Sequence, residues 1–236
     1  MWDGFEDKLL DGARAIGVEL SGDQARLMRM HAETMLLHNE RAGLTEITAP
    51  EAIAVKHFVD SLTCCPFIQP GSSVIDVGSG AGFPGVPLKI VDRTLRLTLV
   101  DSAMKKAAFL KSLITALGLD CQVICMRIED FGKGEGREAF DIAVARAVAK
   151  MRVLSEYCLP LVKIGGAFIA MKGPSPQEEV ALAARAIRTT GGHVELVREF
   201  NLPFDSGERS LLVLRKVFAT PSGFPRKAGL PAKKPL

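Results

Sequence analysis

An apolar run that feeds four closely spaced glycines limits the fold of this chain more than any other feature: Val74-Ile75-Asp76-Val77-Gly78-Ser79-Gly80-Ala81-Gly82-Phe83-Pro84-Gly85. Missing Cβ atoms let the backbone pass close to a ligand, and the helix that follows can turn its first N–H groups toward it. Such a turn belongs at the carboxyl end of a strand in an open α/β sheet. The surrounding pattern agrees. Short β-rich runs at 73–77, 96–100, 122–128, 140–145 and 167–171 alternate with helical stretches near 87–91, 105–117, 151–161 and 177–190. Alternation of this kind predicts right-handed βαβ units and a parallel sheet covered by helices on both faces. Two further runs, 193–200 and 211–217, are joined by a loop with Pro203, Asp205 and Gly207 and no helix, so they are expected to pair antiparallel at one edge. The expected fold is α/β, Rossmann-like, with seven strands.

Before residue 71 the period is helical. Ser21 can cap a helix whose apolar positions Ala25, Met28, Ala32, Met35 and Leu36 recur at three and four, and Pro50 opens another through Ile53, His57, Phe58 and Leu62. We therefore expect a helical segment over 1–70, a ligand-binding core over 71–220 and a basic Pro/Gly-rich tail over 221–236. With 47% hydrophobic and 24% charged residues, the 236-residue chain is neither disordered nor a disulfide scaffold. Every apolar stretch is broken well short of the roughly 20 residues that span a membrane. The acidic first eleven residues do not resemble a signal peptide, which points to the cytoplasm. Five cysteines without paired C-x-x-C spacing read as buried thiols, with no metal expected. Charge is uneven: residues 201–236 hold seven basic side chains against two acidic ones, a candidate surface for polyanions.

Two ligand classes compete for the glycine turn. Gly80-x-Gly82-x-x-Gly85 matches the dinucleotide fingerprint, whereas Asp76-x-Gly78-x-Gly80-x-Gly82 matches the acidic-x-Gly-x-Gly-x-Gly form of S-adenosyl-L-methionine (AdoMet) enzymes. Asp76 would repel a pyrophosphate but can organise a loop that receives the cationic end of AdoMet. Pro84 and Pro87 remove amides that a pyrophosphate would use. Two helix-free strands at one edge also differ from the paired half-sheets of dinucleotide domains. Together these favour AdoMet.

Asp101 ends the second strand, where a carboxylate can accept both ribose hydroxyls; capping the next helix is the alternative. Ile128 and Glu129 follow the third strand, where Ile128 can cover an adenine and Glu129 read its edge, or Glu129 is simply solvated. Arg146 ends the fourth strand, beside the position of a transferred methyl, where a cation requires an anionic or acceptor-rich partner such as a phosphate, a guanine O6 or the AdoMet carboxylate. Lys172 ends the fifth and can reach the same space or lie on the surface.

These stretches closely resemble the bacterial RsmG (GidB) family, small-subunit ribosomal RNA guanine-N7 methyltransferases. The resemblance rests on Lys56-His57-x-x-Asp60-Ser61, on the Gly-Phe-Pro-Gly turn with Val86-Pro87-Leu88, and on Leu99-Val100-Asp101-Ser102 with Lys105-Lys106. Ala145-Arg146-Ala147, Met171-Lys172-Gly173 and the ending Phe224-Pro225-Arg226-Lys227-Ala228-Gly229-Leu230-Pro231 complete it. Leu37-His38-Asn39 and Gly43-Leu44-Thr45 depart from the Trp-Asn and Asn-Leu-Thr that members often carry. The resemblance implies AdoMet contact by Gly78, Phe83, Ile128, Glu129 and Arg146, and a target guanine in the decoding-region loop of 16S ribosomal RNA or the small subunit. N7 of guanine carries a free lone pair at neutral pH, so its methylation needs alignment rather than a general base. Arg146 and Lys172 are then the candidates for holding O6 or phosphate, and Arg226, Lys227, Lys233 and Lys234 for gripping RNA. One Trp and one Tyr exclude a base-stacking platform. Rival expectations are an NAD(P)-dependent oxidoreductase and a non-catalytic RNA-binding assembly factor.

Overall fold

The computed structural model describes residues 2–236. The strands are β1 (Ser73–Val77), β2 (Arg96–Asp101), β3 (Cys121–Cys125), β4 (Phe140–Arg146), β5 (Val162–Lys172), β6 (Gly192–Asn201) and β7 (Glu208–Lys216). They form one sheet in the order β3-β2-β1-β4-β5-β7-β6. The first five are parallel, and β7 runs antiparallel to both β5 and β6. The chain reverses its direction of winding between β1 and β4, and a ligand crevice forms outside the carboxyl ends of the strands at such a point. Register brings Asp101 of β2, Arg146 of β4 and Lys172 of β5 to that edge, because Val77 pairs with Val100 and Arg146 with Met171.

Helices α5 (Gly85–Val91), α6 (Met104–Ala116), α7 (Ile128–Lys133), α8 (Met151–Cys158) and α9 (Gln177–Thr189) lie between strands, with α1 (Phe5–Ala15) and α2 (Gly22–Ala42) ahead of them. Ser21 caps α2 in a reciprocal box with Gln24, an arrangement that contributes about 1 kcal/mol. Pro50 opens α3 (Pro50–Ile53), which continues through π-helical turns over Ala54–Val59 into α4 (Asp60–Leu62). Strand alternation splits the core. Val74 joins Phe5, Met28, Met35, Phe58 and Phe109 on the face covered by the amino-terminal helices, while Ile75 and Val77 join Leu154, Phe168 and Leu212 on the other. A short last helix, α10 (Leu230–Lys233), lies near the carboxyl terminus.

Local boundaries differ from expectation for identifiable reasons. The expected third strand, 122–128, stops at Cys125, because that residue pairs with Asp101, the last residue of β2, and nothing remains for Met126 onward to bond. Ile128 therefore begins α7 instead of ending a strand. The helix from Met151 stops at Cys158 and tightens to a 3-10 turn over Leu159–Leu161, where Pro160 has no N–H to continue it. Of the cysteines, Cys64 and Cys158 are buried but Cys125 is exposed. Four of the seven basic side chains after residue 200 are paired with acids of the chain itself. Lys216 is fully buried against Glu138, Arg215 pairs with Glu195, Arg209 lies 3.6 Å from Asp60, and Arg226 grips Glu156. Among the described residues, no helix is long and apolar enough to cross a membrane and no cluster of His, Cys, Asp and Glu could hold a metal ion.

Candidate functional site

The glycine turn ties itself together. The Gly78 and Ser79 amides donate to Val100 O at 2.9 and 3.1 Å, and those of Gly82 and Phe83 to Ser79 O at 2.7 and 3.2 Å. Gly80 N–H goes to Asp101 Oδ2 at 3.0 Å and Gly85 N–H to Asp76 Oδ2 at 2.8 Å. A loop with its amides engaged in this way offers no bank of donors to a pyrophosphate, which removes the main attraction of the dinucleotide reading. Gly78 and Gly80 sit at φ +72 and +55. A Cβ on Gly78 would lie 2.7 Å from Val148, whereas one on Gly80 would meet only the Gly78 carbonyl, at 3.8 Å, leaving room there for a ligand. Asp76 is wholly buried and holds the loop from below, with Oδ1 unpartnered; burial pushes its carboxyl up to about 7.

A cavity of about 370 Å³ opens beside this turn, bordered by Gly78, Asp101, Ile128, Glu129, Tyr157 and Ala232 among others. Asp101 Oδ1 accepts the Ala103 amide at 2.8 Å, so the carboxylate both steadies the start of α6 and holds Gly80. Each of its oxygens has a second lone pair, which suits a ribose diol. Glu129 is 1% exposed; Oε1 accepts the Gly229 amide at 2.7 Å and Arg127 at 3.2 Å, while Oε2 is buried without a partner. Burial alone would raise this carboxyl, but those donors hold it below the usual range. Asp101, Glu129 and the apolar Ile128 fit an adenosyl group; Gly80, expected beside them, borders the cavity on the other side of the turn instead.

On the other side of the turn lies a second cavity, about 590 Å³, between the loop at 43–47, Phe83, His57 and Arg146. Asn39 shapes that loop: Oδ1 accepts the Leu44 and Thr45 amides at 2.8 and 2.9 Å, and Nδ2 donates to Thr45 O at 2.8 Å. Phe83 does not border the first cavity. Its ring is sandwiched between His31 and His57, with centroids at 4.6 and 4.9 Å, and the Arg146 guanidinium lies 4.9 Å from it. Arg146 donates to the carbonyls of Lys56 and His57 at 3.1 and 3.4 Å and to Asp60 Oδ2 at 3.2 Å. The anionic partner that its charge requires is thus Asp60, in the chain itself.

Arg146 Nη2 also lies 3.2 Å from His57 Nδ1. An arginine can only donate, so Nδ1 is the bare nitrogen and Nε2–H donates to Thr45 Oγ1 at 2.8 Å. Burial and then the Arg146 charge lower His57 to about 3, and burial lowers His31 to about 4, so both are neutral at pH 7. A third cavity, about 340 Å³, is bordered by Lys56, Asp60, Arg146, Lys172 and Arg209. Lys172 pairs with Glu179 at 2.7 Å and donates to Ala149 O at 3.0 Å. Ala147, a non-glycine at φ +56, borders all three cavities.

The structure therefore brings Gly78, Asp101, Ile128 and Glu129 to one cavity and Arg146 and Lys172 to another. Asp76 and Gly82 lie in or under the turn, and a Cβ on Gly82 would meet Val86 at 2.8 Å. Arg226 is not a free cation: its guanidinium makes a bidentate contact with the fully buried Glu156 at 2.6 to 3.0 Å, so it anchors the segment and is unavailable to a phosphate. Lys227, Lys233 and Lys234 are exposed. Residue patterns alone missed Asn39, Thr45, His57, Asp60 and Arg209. A signal existed for two of them, since His57 and Asp60 interrupt an apolar helical face between Ile53 and Leu62.

A family model described as rRNA small subunit methyltransferase G matches residues 24–211. The chain is 45% identical over 234 residues to the ribosomal RNA small subunit methyltransferase G of Pelotomaculum thermopropionicum, covering 98% of each chain. It is 46% identical over 224 residues to the protein of that name from Bacillus cytotoxicus, covering 93% of this chain and 94% of the other. In fold it is similar to a SAM-dependent methyltransferase of Methanosarcina mazei, with a TM-score of 0.53 at 11% identity over 65% of this chain and 96% of that one.

Proposed function

The chain belongs to the rRNA small subunit methyltransferase G (GidB) family, and from that membership we propose that it transfers a methyl group from AdoMet to N7 of a guanine in the decoding-region loop of 16S ribosomal RNA. The observation that carries this reading is the meeting, at Ala147, of a cavity bordered by Asp101, Ile128 and Glu129, with Lys106 and Arg127 balancing its acids, and one where Lys56, Arg146, Lys172 and Arg209 outnumber the single acid Asp60. The acceptors and apolar side chain of the first suit a ribose and an adenine, and the net positive charge of the second suits a polyanion.

Asp101 would accept the ribose hydroxyls, Glu129 and Ile128 would border the adenine, and the open face of Gly80 would admit the amino-acid end. AdoMet, when bound, supplies a methyl on a positively charged sulfur that a neutral lone pair can accept. The chain's own part is to align and to exclude water, which can lower the barrier by several kcal/mol. Arg146, held by Asp60 and the Lys56 and His57 carbonyls, presents a fixed guanidinium at the mouth of both basic-side cavities, where it can hold O6 or an adjacent phosphate. Lys172, Lys56 and Arg209 add positive charge beside it. His57 has its only free lone pair facing Arg146 and Asp60 is ion-paired, so neither serves as a base, and an acceptor that needs no deprotonation fits that arrangement. Lys227, Lys233 and Lys234 extend the basic surface toward RNA.

The test is methyl transfer from labelled AdoMet to deproteinised 16S RNA and to small subunits lacking the modification, followed by mapping of the product. Label at guanine N7 is expected. Retention of a nicotinamide nucleotide, or RNA binding without transfer, overturns the reading in favour of an oxidoreductase or an assembly factor respectively.

A further inference from the structure

The segment after β7 does not trail away from the sheet. Arg137 holds the carbonyls of Thr220 and Phe224, the latter at 2.7 Å, and Arg152 holds those of Pro235 and Leu236 at 3.0 and 2.6 Å. Between these, Arg226 gives both its guanidinium and its backbone N–H, at 2.7 Å, to Glu156, and Gly229 gives its N–H to Glu129. Pro225 and Pro231 are buried. Glu156 and Glu129 are 0% and 1% exposed, and a carboxylate so buried is costly unless it is paired. Glu156 takes its donors from the segment, and Glu129 takes one from it beside Arg127, so docking is a condition of the native site.

The place of docking gives it a role. Glu129 borders the first cavity, and Glu156 precedes Tyr157, which borders it too. Gly229, at φ +80, starts α10 and brings Ala232 to the same cavity. Because the Gly229 amide, together with Arg127, takes Oε1, the segment helps to set the rotation of the Glu129 carboxylate, and Oε2 is the oxygen left unpartnered. We propose that residues 226–233 form a wall of the cofactor cavity, in which Gly229 is a positioning residue acting through Glu129 and Ala232 closes the adenosyl end. The proposal rests on the reading of that cavity as the AdoMet site. It departs from the expectation that the basic ending is only an RNA tether, because here the inner face of the segment serves the cofactor while its lysines face outward.

Calorimetry with S-adenosylhomocysteine, which cannot turn over, tests the wall in the full-length chain. Ala232 is exposed, so Ala232→Trp should keep the wild-type melting temperature while lowering affinity at least tenfold, for 5′-methylthioadenosine as much as for S-adenosylhomocysteine. Arg226→Gln should lower it as well, with Arg226→Lys recovering most of the loss and KM for RNA unmoved. Wild-type affinity in folded Ala232→Trp, or a loss confined to S-adenosylhomocysteine, overturns the proposal. A wild-type chain that binds neither ligand overturns the cofactor reading first.

Discussion

The cleft has two walls, built in opposite ways. On the amino-terminal side, helices α1 to α4 share one apolar cluster with the sheet, and the Phe83 ring is locked among His31, His57, Phe58 and Arg146. On the carboxyl-terminal side, a short segment is fastened mainly by charge-assisted contacts to Glu156 and Glu129 and by two arginines on carbonyls. The first wall is part of the fold's core and cannot be removed without unfolding it. The second rests on a few directional bonds and adds no residue to either apolar cluster, although its loss would leave Glu156 buried without a partner. A catalyst that must admit and release a cofactor is served by that asymmetry, because loosening belongs on the wall with least buried apolar surface.

The contrast breaks most severely at Arg146. Arg146→Ala leaves the buried Asp60 with only Arg209, 3.6 Å away, and should cost about 3 to 5 kcal/mol of stability along with turnover. Denaturant unfolding and single-turnover methylation, taken together, test this. A variant as stable as wild type would show that Arg146 is not a tie between wall and sheet.

Acid should weaken the same wall next. His31 and His57 have native values of about 4 and 3 against about 6.5 when unfolded, so their contribution is complete above pH 6.5 and is lost as pH falls. Asp76, raised to about 7, acts in the opposite sense between about pH 7 and 4, so a subtraction is needed. A His31→Gln, His57→Gln double variant should close its stability gap to wild type by about 1 kcal/mol per histidine per pH unit below 6.5. A gap independent of pH would mean the imidazoles are not held neutral.

Between the walls, Asp101→Ala should weaken AdoMet binding by about 1 to 3 kcal/mol in calorimetry, part of it through release of Gly80. An unchanged affinity would leave Asp101 with only its hold on the turn and on α6. The smallest effect is expected at the outer face of the carboxyl-terminal wall. Lys227→Ser, Lys233→Ser and Lys234→Ser together should flatten the salt dependence of RNA binding by about 2 logarithmic units of slope, with AdoMet affinity retained. A wild-type slope would remove RNA from that face.

What could be read from the residues follows the same division between local and distant. The glycine turn, the acid at the end of β2 and the helix-free antiparallel edge are written in neighbouring residues whose period and backbone needs are local. Arg146 was legible as a charge in want of a partner, but the partner, Asp60, lies 86 positions earlier. The docking of Gly229 on Glu129 spans 100 positions, and nothing in a Pro- and Lys-rich ending distinguishes a docked segment from a solvated one. The end of β3 is not legible in its own residues, because it depends on where β2 stops, a property of the neighbour and not of the strand itself.

Ala147 carries a consequence for which substitutions this chain can accept. Its φ of +56 costs a residue with a Cβ roughly 1 to 2 kcal/mol, and a branched or bulky side chain would fare worse in that region. From this one residue the chain sends Arg146 toward the amino-terminal helices and Val148 against Gly78. Its single methyl group borders the cavities proposed for the cofactor and for the RNA, so on that reading anything larger would narrow the passage between them. Glycine would suit the backbone and keep the passage open, but would let Arg146 and Val148 swing independently. Saturation mutagenesis should therefore find position 147 confined to alanine and, with slower transfer, glycine, a narrower tolerance than at either charged wall.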